Sequence, residues 1–296
     1  ETASWVLRVN TGSQIKLSGA EQIEYEFRTL GLLEPAGVTP RPFFMDNSLE
    51  LLPYGVLGME YVQGETLNYH CDLAEAARVM AQYHQLTIPE NEIHLIHEKR
   101  TLSLTYERCV DMLQVYFDSE LSDKDLRQYF LDVRSWADEA RHHEKFFVED
   151  PWNCIINTEV NNTNWIVNRG QKTTHLVDWE KPLWGDPSQD LSHFRVPTTT
   201  LWKTDYLMSE DDKKLMMNTY KENISDLHLR DTIEDRTQLR DPFNCLRGVS
   251  WCAMAWIQYQ SDDHLLKNKD TFNRLSMYID MHFVRSLFDP YMCSAG

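Results

Sequence analysis

No window of 18 apolar residues free of charge occurs anywhere in the 296-residue sequence, so it offers no transmembrane helix. No C-x-x-C pair occurs either. Cys71, Cys109, Cys154, Cys245, Cys252 and Cys293 are scattered, which fits neither a disulfide framework nor a zinc site and reads as reduced thiols in a cytoplasm. Basic residues are scarce: 29 Lys and Arg stand against 46 Asp and Glu, for a net charge of −17. A nucleic-acid partner would require a basic face and is not expected. A cationic small molecule is compatible with that charge through steering, although solubility alone accounts for it. Only 11 Gly and 11 Pro are present, and 42% of the residues are hydrophobic, so collagen-like and disordered classes are excluded. The opening residues "ETASWVLRVN" have neither the basic start nor the apolar centre of a signal peptide, and they begin almost inside a strand. That start suggests either trimming or a missing first hairpin. There is no internal repeat, no low-complexity segment, and no G-x-G-x-x-G.

What is present reads as a small mixed segment followed by a larger helical one. Residues 4–10 alternate Trp5, Leu7, Val9 against Val6, Arg8, Asn10, the period of a strand. Ser18 followed by Glu21 is a capping box, and Ile23, Phe27 and Leu30 then share one helical face. Short strands are expected at "FFMD" and over 54–62. After Gly64, helices are expected over 72–87, 102–118, 123–145, 209–225, 237–260 and 268–288. Two strands, 165–168 and 175–179, joined at Asn-Arg-Gly, read as a hairpin. The expected division is therefore 1–63, a small mixed lobe, and 64–296, a larger helical lobe that carries the hairpin.

Polar side chains crowd the hairpin. Asn164 precedes its first strand and Asp178 ends its second, so antiparallel pairing brings an amide oxygen near a carboxylate. That is a hard-oxygen pair suited to Mg²⁺, which commonly takes one or two protein ligands plus substrate phosphates. Glu159, on the loop entering the hairpin, is placed to accept a proton or orient a hydroxyl. Glu180, Asp186 and Asp190 complete the acidic set. Among the histidines, His84 reads as a core or helix-end residue, while His142 and His143 read as exposed.

The order "INTEVNNTNWIV…HLVDWEKPLWGDPSQDLSHF" resembles the aminoglycoside phosphotransferase and choline kinase family. Val177-Asp178-Trp179-Glu180 and Gly185-Asp186-Pro187-x-x-Asp190-Leu191 match its motifs almost letter for letter. The resemblance spans most of the chain. It implies an α+β, protein-kinase-like bilobal fold that uses ATP (or GTP) and Mg²⁺ to phosphorylate a small-molecule hydroxyl. It also implies residue roles. Asp178 and Asn164 would hold the metal, Glu159 would be the catalytic base, and Asp190 would anchor the catalytic loop. Arg8 would stand where a strand lysine meets the nucleotide phosphates. Its ion-pair partner would be Glu24, with Glu26 as the alternative. Met59-Glu60-Tyr61-Val62 would be the hinge whose backbone receives the base of the nucleotide, putting Glu60 and Val62 on the cofactor side. Residues 198–205 would be a candidate wall of the acceptor site.

The sequence departs from that pattern in three places. Asn157-Thr158-Glu159 replaces H-G-D, Arg8 replaces lysine, and the first strand pair with its Gly-rich phosphate loop does not precede residue 4. Glu and Asp have similar intrinsic acidity, about 4.3 against 3.9, but Glu reaches one methylene further. Arg binds phosphate and carboxylate as a fork, not as a point charge. These departures keep two other readings open: a catalytically weak or inactive kinase-like module that binds a nucleotide or a protein, and a nucleotidyl-transferring relative.

Overall fold

The computed structural model describes residues 4–13, 15–50, 52–260 and 268–293. Its strands are β1 (Trp5–Val9), β2 (Pro42–Asp46), β3 (Val56–Glu60), β4 (Glu65–Thr66), β5 (Cys154–Ile156), β6 (Trp165–Asn168), β7 (Thr173–Leu176) and β8 (Leu183–Gly185). Its α-helices are α1 (Gly19–Leu33), α2 (Leu73–His84), α3 (Thr101–Phe117), α4 (Lys124–Ala140), α5 (Glu144–Glu149), α6 (Ser188–Arg195), α7 (Pro197–Lys203), α8 (Glu210–Glu222), α9 (Leu227–Gln260), α10 (Lys269–Tyr278) and α11 (Met281–Met292). By packing, the chain divides into two compact units. The first comprises Glu1–Glu98, Trp152–Phe194 and Met208–Glu234; the second comprises Lys99–Pro151, Arg195–Leu207 and Asp235–Gly296.

In the first unit β1, β3 and β2 form an antiparallel sheet in that order, with Arg8 opposite Leu57. Gly58 in β3 lacks a side chain because Phe44 of β2 lies across it, and a Cβ there would run into the ring. The helix α1 starts with the expected capping box: Ser18 Oγ accepts from Glu21 N at 3.3 Å, and Glu21 Oε2 accepts from Ser18 N at 2.8 Å. Its buried stripe mixes apolar Ile23, Leu30 and Leu33 with polar Gln22, Glu26 and Thr29. Such side chains are not buried for packing alone, because an unpaired buried polar group costs free energy. Each has a partner in the site described below or on the helix itself; Thr29, for instance, donates to Tyr25 O at 2.7 Å. The hairpin β6–β7 pairs Trp165 with Leu176 and also carries β4 on its far edge. A separate pair, β5–β8, is buried.

The second unit is helical. Leu113, Phe130, Val133, Val249, Val284 and Phe288 meet at its centre with essentially no exposure. Beside them Trp202 sits edge-on to Trp251 and to Tyr278. No described helix is long and apolar enough to cross a membrane, and all six cysteines are free thiols.

Several boundaries differ from expectation for identifiable reasons. The helix expected over 268–288 is two helices, because the Asp280 carboxylate accepts from His282 N at 2.9 Å and Phe283 N at 3.1 Å and so starts α11 afresh. The helix expected from 237 begins at Leu227 and runs through Pro242. Asp226 Oδ1 accepts from Leu229 N at 2.8 Å and sets that earlier start. The second hairpin strand ends at Leu176, not 179, because Asp178 has φ +62°, which no strand accommodates.

The capping box fixes the start of α1, which carries Glu26. Ser18→Ala removes it and should lower stability by about 1 kcal/mol, read as a shift of the urea midpoint at unchanged m-value.

Candidate functional site

Arg8, Glu159, Asn164, Asp178 and Asp190 come together within the first unit. Buried β5 leads directly into Asn157 and Thr158. Thr158 has φ +72°, a conformation rare for a β-branched side chain and worth roughly 1–3 kcal/mol of strain. Asp190, the last acid of the G-D-P-x-x-D-L block, holds it there. Its Oδ2 accepts from Asn157 N at 2.7 Å and its Oδ1 from Thr158 N at 2.8 Å. Tyr83 Oη donates to the same Oδ2 at 2.7 Å, and His84 Nε2 lies 3.4 Å from it. The other ring nitrogen of His84 is 3.0 Å from Tyr220 Oη. His84 is thus the buried helix-end histidine expected, and it braces the loop anchor as well. Asp190 has no exposed surface. Burial alone would raise its pKa. The hydrogen bond and charge of His84, with those from Asn157 N and Tyr83, outweigh burial and hold the carboxyl below its usual range. The phenols of Tyr83 and Tyr220 are pushed well above theirs, burial being the leading cause. Asp186 does a different job. Its Oδ1 accepts from Ser188 N at 3.0 Å and Ser188 Oγ at 2.5 Å, closing the turn that leads into α6.

From that anchored turn the loop presents Glu159. Its N–H donates to Asn157 Oδ1 at 3.0 Å, and its carbonyl accepts from Asn164 Nδ2 at 2.8 Å. The second bond directs the Asn164 amide nitrogen to the loop and leaves the amide oxygen for another partner. Across the hairpin, Val177 N donates to Asn164 O at 2.8 Å, bringing Asn164 beside the segment that carries Asp178. The left-handed backbone at Asp178 turns its side chain out of the strand pleat. The Glu159 carboxylate is ion-paired: Lys181 Nζ lies 2.5 Å from its Oε1. Thr158 Oγ1 also donates to Lys181 O at 3.3 Å, so loop and segment are tied twice.

Arg8 of β1 meets three carboxylates. Its Nε is 3.0 Å from Glu26, one terminal nitrogen is 2.9 Å from Asp178 Oδ1, and the other is 2.8 Å from Glu180. Burial works against the guanidinium charge, and Glu26, Asp178 and Glu180 together more than offset it. For Glu26, 2% exposed, burial dominates over the attraction of Arg8, and Asp178 and Glu180 add to it, so its carboxyl is pushed up to about 7. Burial, then Asp178, also raises Glu180. The helix α1 grips the same segment from its side chains: Gln22 Nε2 donates to Glu180 O, and Tyr25 Oη donates to Pro182 O at 2.6 Å.

The partner of Arg8 is therefore Glu26, not Glu24. Glu26 falls one turn beyond Gln22 and Ile23 on the buried stripe, whereas Glu24 faces outward, 4.0 Å from Arg28. Glu60 sits at the end of β3 with its side chain accepting from Arg41, and Val62 lies in the connection to β4. Neither contacts the Arg8 cluster. Residues 198–205 begin as α7 in the second unit, where Thr198, Thr199 and Thr200 are buried. The sequence offered both Glu24 and Glu26, two residues apart on one helix, without fixing which faces Arg8. Lys181 and Tyr83 carried no comparable signal. Among the described residues no group of three or more His, Cys, Asp and Glu side chains is arranged to hold a metal. A pair such as Asn164 and Asp178, completed by phosphate oxygens, requires no such group.

A strand arginine paired to a helix glutamate, a hairpin flanked by Asn and Asp, and a loop anchored by a buried Asp define a protein-kinase-like α+β fold. The chain belongs to the phosphotransferase enzyme family, whose model matches residues 1–215. Solved structures agree on the fold. A Plasmodium vivax ethanolamine kinase superposes with TM-score 0.63 at 14% identity, covering 96% of this chain and 77% of that one. The AMP-bound spectinomycin phosphotransferase APH(9)-Ia gives 0.62 at 14%, over 97% and 87%. A Streptococcus pneumoniae choline kinase gives 0.60 at 13%, over 96% and 86%. A comparison with curated proteins finds no match. The family and fold class implied by the sequence motifs are thereby borne out.

Asp190→Asn replaces one acceptor oxygen with a donor and should destabilise the protein by at least about 2 kcal/mol, since a charged acceptor of buried N–H groups is lost. Because the folded pKa of Asp190 lies below its unfolded value of about 3.9, its contribution is present above that pH and disappears as pH falls through the folded value. Thermal melts of both forms should differ at pH 7 and converge in strong acid.

Proposed function

We propose that the protein is an ATP- or GTP-dependent, Mg²⁺-requiring phosphotransferase acting on a hydroxyl of a small molecule. The observation that carries this reading is the convergence of Glu159, Asn164 and Asp178 around a loop whose shape Asp190 fixes. Asn164 and Asp178 offer hard oxygens, and the Asn164 amide oxygen is the atom its loop contact leaves available. They would hold Mg²⁺, which when bound supplies charge neutralisation for the nucleotide phosphates. Glu159 would take the proton of the acceptor hydroxyl. Its carboxylate is oriented from the backbone side by Asn157 and Asn164, which suits a reaction governed by positioning. Arg8 would hold Asp178 and Glu180 in place, tying β1 and α1 to the metal-binding segment. In this reading residues 1–63, with the backbone at Glu60 and Val62, serve the nucleotide, and residues 64–296 serve the acceptor.

The acceptor would be an aminoglycoside-, choline- or sugar-like alcohol. Support comes from solved structures of this fold, an ethanolamine kinase, a choline kinase and a spectinomycin phosphotransferase, and the net charge of −17 is compatible with a cationic acceptor. The setting proposed is cytoplasmic, where the six free thiols would stay reduced.

The test is a thermal shift with ATP or GTP, with and without Mg²⁺. A ligand that binds only the folded state raises the melting point with its concentration over Kd. A Mg²⁺-dependent rise in the wild type that Asp178→Ala abolishes, while melting as a folded protein, is the expected result. No rise with either nucleotide would overturn the proposal.

A further inference from the structure

The Arg8 fork spans both acids of Asp178-Trp179-Glu180. One terminal nitrogen is 2.9 Å from Asp178 Oδ1, and the other is 2.8 Å from Glu180 Oε2. The third nitrogen, Nε, is 3.0 Å from Glu26, whose side chain is 2% exposed. Withdrawing Arg8 would strand that buried carboxylate, so the fork is pinned from behind. The acids are pinned too. Asn157 Nδ2 donates to Asp178 O at 3.2 Å, and Gln22 Nε2 donates to Glu180 O. The backbone therefore fixes where the two carboxylates stand, and a guanidinium bridges them. Two oxygens of the candidate metal pair lie outside this bridge. Asp178 Oδ2 accepts no hydrogen bond from the described residues, and neither does Asn164 Oδ1, since it is the amide nitrogen that meets Glu159 O at 2.8 Å. Asp178 thus divides its oxygens, one to the guanidinium and one left over.

Protein kinases neutralise the nucleotide with two Mg²⁺ held by an Asp and an Asn. Here a second divalent ion would have to share Asp178 and take a further acid. The acid that faces Asp178 across the fork is Glu180, and the oxygens at stake are those the guanidinium already holds. Two cations that compete for the same oxygens exclude one another. We propose that the Arg8 guanidinium takes the place of a second metal, so that the site binds one divalent cation per nucleotide, on Asp178 Oδ2 and Asn164 Oδ1. The inference rests on the phosphotransferase reading above and narrows its metal requirement. It also gives arginine at position 8 a chemical meaning. A lysine paired to Glu26 is a point charge and leaves at least one of the two acids open, whereas the planar fork closes both. Lys181, a further positive neighbour of Glu180, adds to the exclusion.

Mn²⁺ titration of the full chain, read by the paramagnetic resonance of the free ion, counts the sites without an acceptor. Protein is kept in excess over the non-hydrolysable AMP-PNP, or GMP-PNP in parallel, so that the nucleotide is all bound, and a run without nucleotide is subtracted. The wild type should bind one Mn²⁺ per nucleotide. Any further ion should bind at least about tenfold more weakly, because a fixed unit charge a few ångströms away repels a divalent ion by that much even in water. Arg8→Lys keeps the charge and its pair with Glu26 but loses the fork. It should bring a second Mn²⁺ to within about tenfold of the first. Adding Glu180→Gln to Arg8→Lys should return the count to one. Two equivalent ions in the wild type, no change in Arg8→Lys, or a second ion that survives Glu180→Gln overturns the proposal. The wild-type count stands as a test whether or not Arg8→Lys folds. A wild type whose Mn²⁺ binding responds to neither nucleotide overturns the phosphotransferase reading itself, and the inference with it.

Discussion

The pair of hydrogen bonds from Asn157 N and Thr158 N to the Asp190 carboxylate is the interaction on which the site depends. A β-branched residue does not hold positive φ without help, and the help here is a fully buried anion. That anion would be costly to bury alone. Tyr83, His84 and two backbone N–H groups surround it, and together they keep it ionised in a place where burial alone would neutralise it. From the turn so fixed, each later position follows. Asn157 orients the Glu159 backbone, Glu159 O takes the Asn164 amide, and the hairpin brings Asn164 alongside Val177 and so beside Asp178.

A second network meets the first at Asp178. It is built the other way round, one cation among several anions. Arg8 draws β1, α1 and the 178–180 segment onto one guanidinium. The three contacts differ in character. Glu26 is fully buried and shares the proton economy of an interior group, whereas Asp178 and Glu180 are partly open to solvent. The network therefore has a dry end on the helix and a wet end at the candidate metal site. The planar fork of arginine can serve all three acids at once, which a lysine at this position would do only as a point charge. That gives the substitution at position 8 a structural reason.

Much of this was legible in the sequence. The D-W-E and G-D-P-x-x-D-L blocks announced both the fold and the residues of its acidic centre, and the capping box at Ser18 fixed where α1 begins. What stayed hidden has physical causes. Strands of two or three residues such as β4, β5 and β8 are too short for a period to show. Choosing between Glu24 and Glu26 required the phase of the helix against the sheet, which a stretch of acids two residues apart leaves undetermined. The Asp280 break between α10 and α11 reads, in sequence, as an ordinary polar residue in a helical run. Lys181 was invisible because its meaning lies in a contact across 22 residues, set by the turn at Thr158, and no local pattern encodes it.

The anchoring of the loop by Asp190 also bears on how the protein comes into being. Residues 157–164 emerge from a ribosome more than twenty residues before the acid that shapes them. Until that acid arrives, Thr158 has no reason to leave the ordinary regions of backbone space, and Tyr83 and His84, made long before, wait without the partner they brace. A nascent chain stopped short of α6 would therefore carry every residue of the candidate base and metal pair but lack the Asp190 carboxylate that shapes their loop.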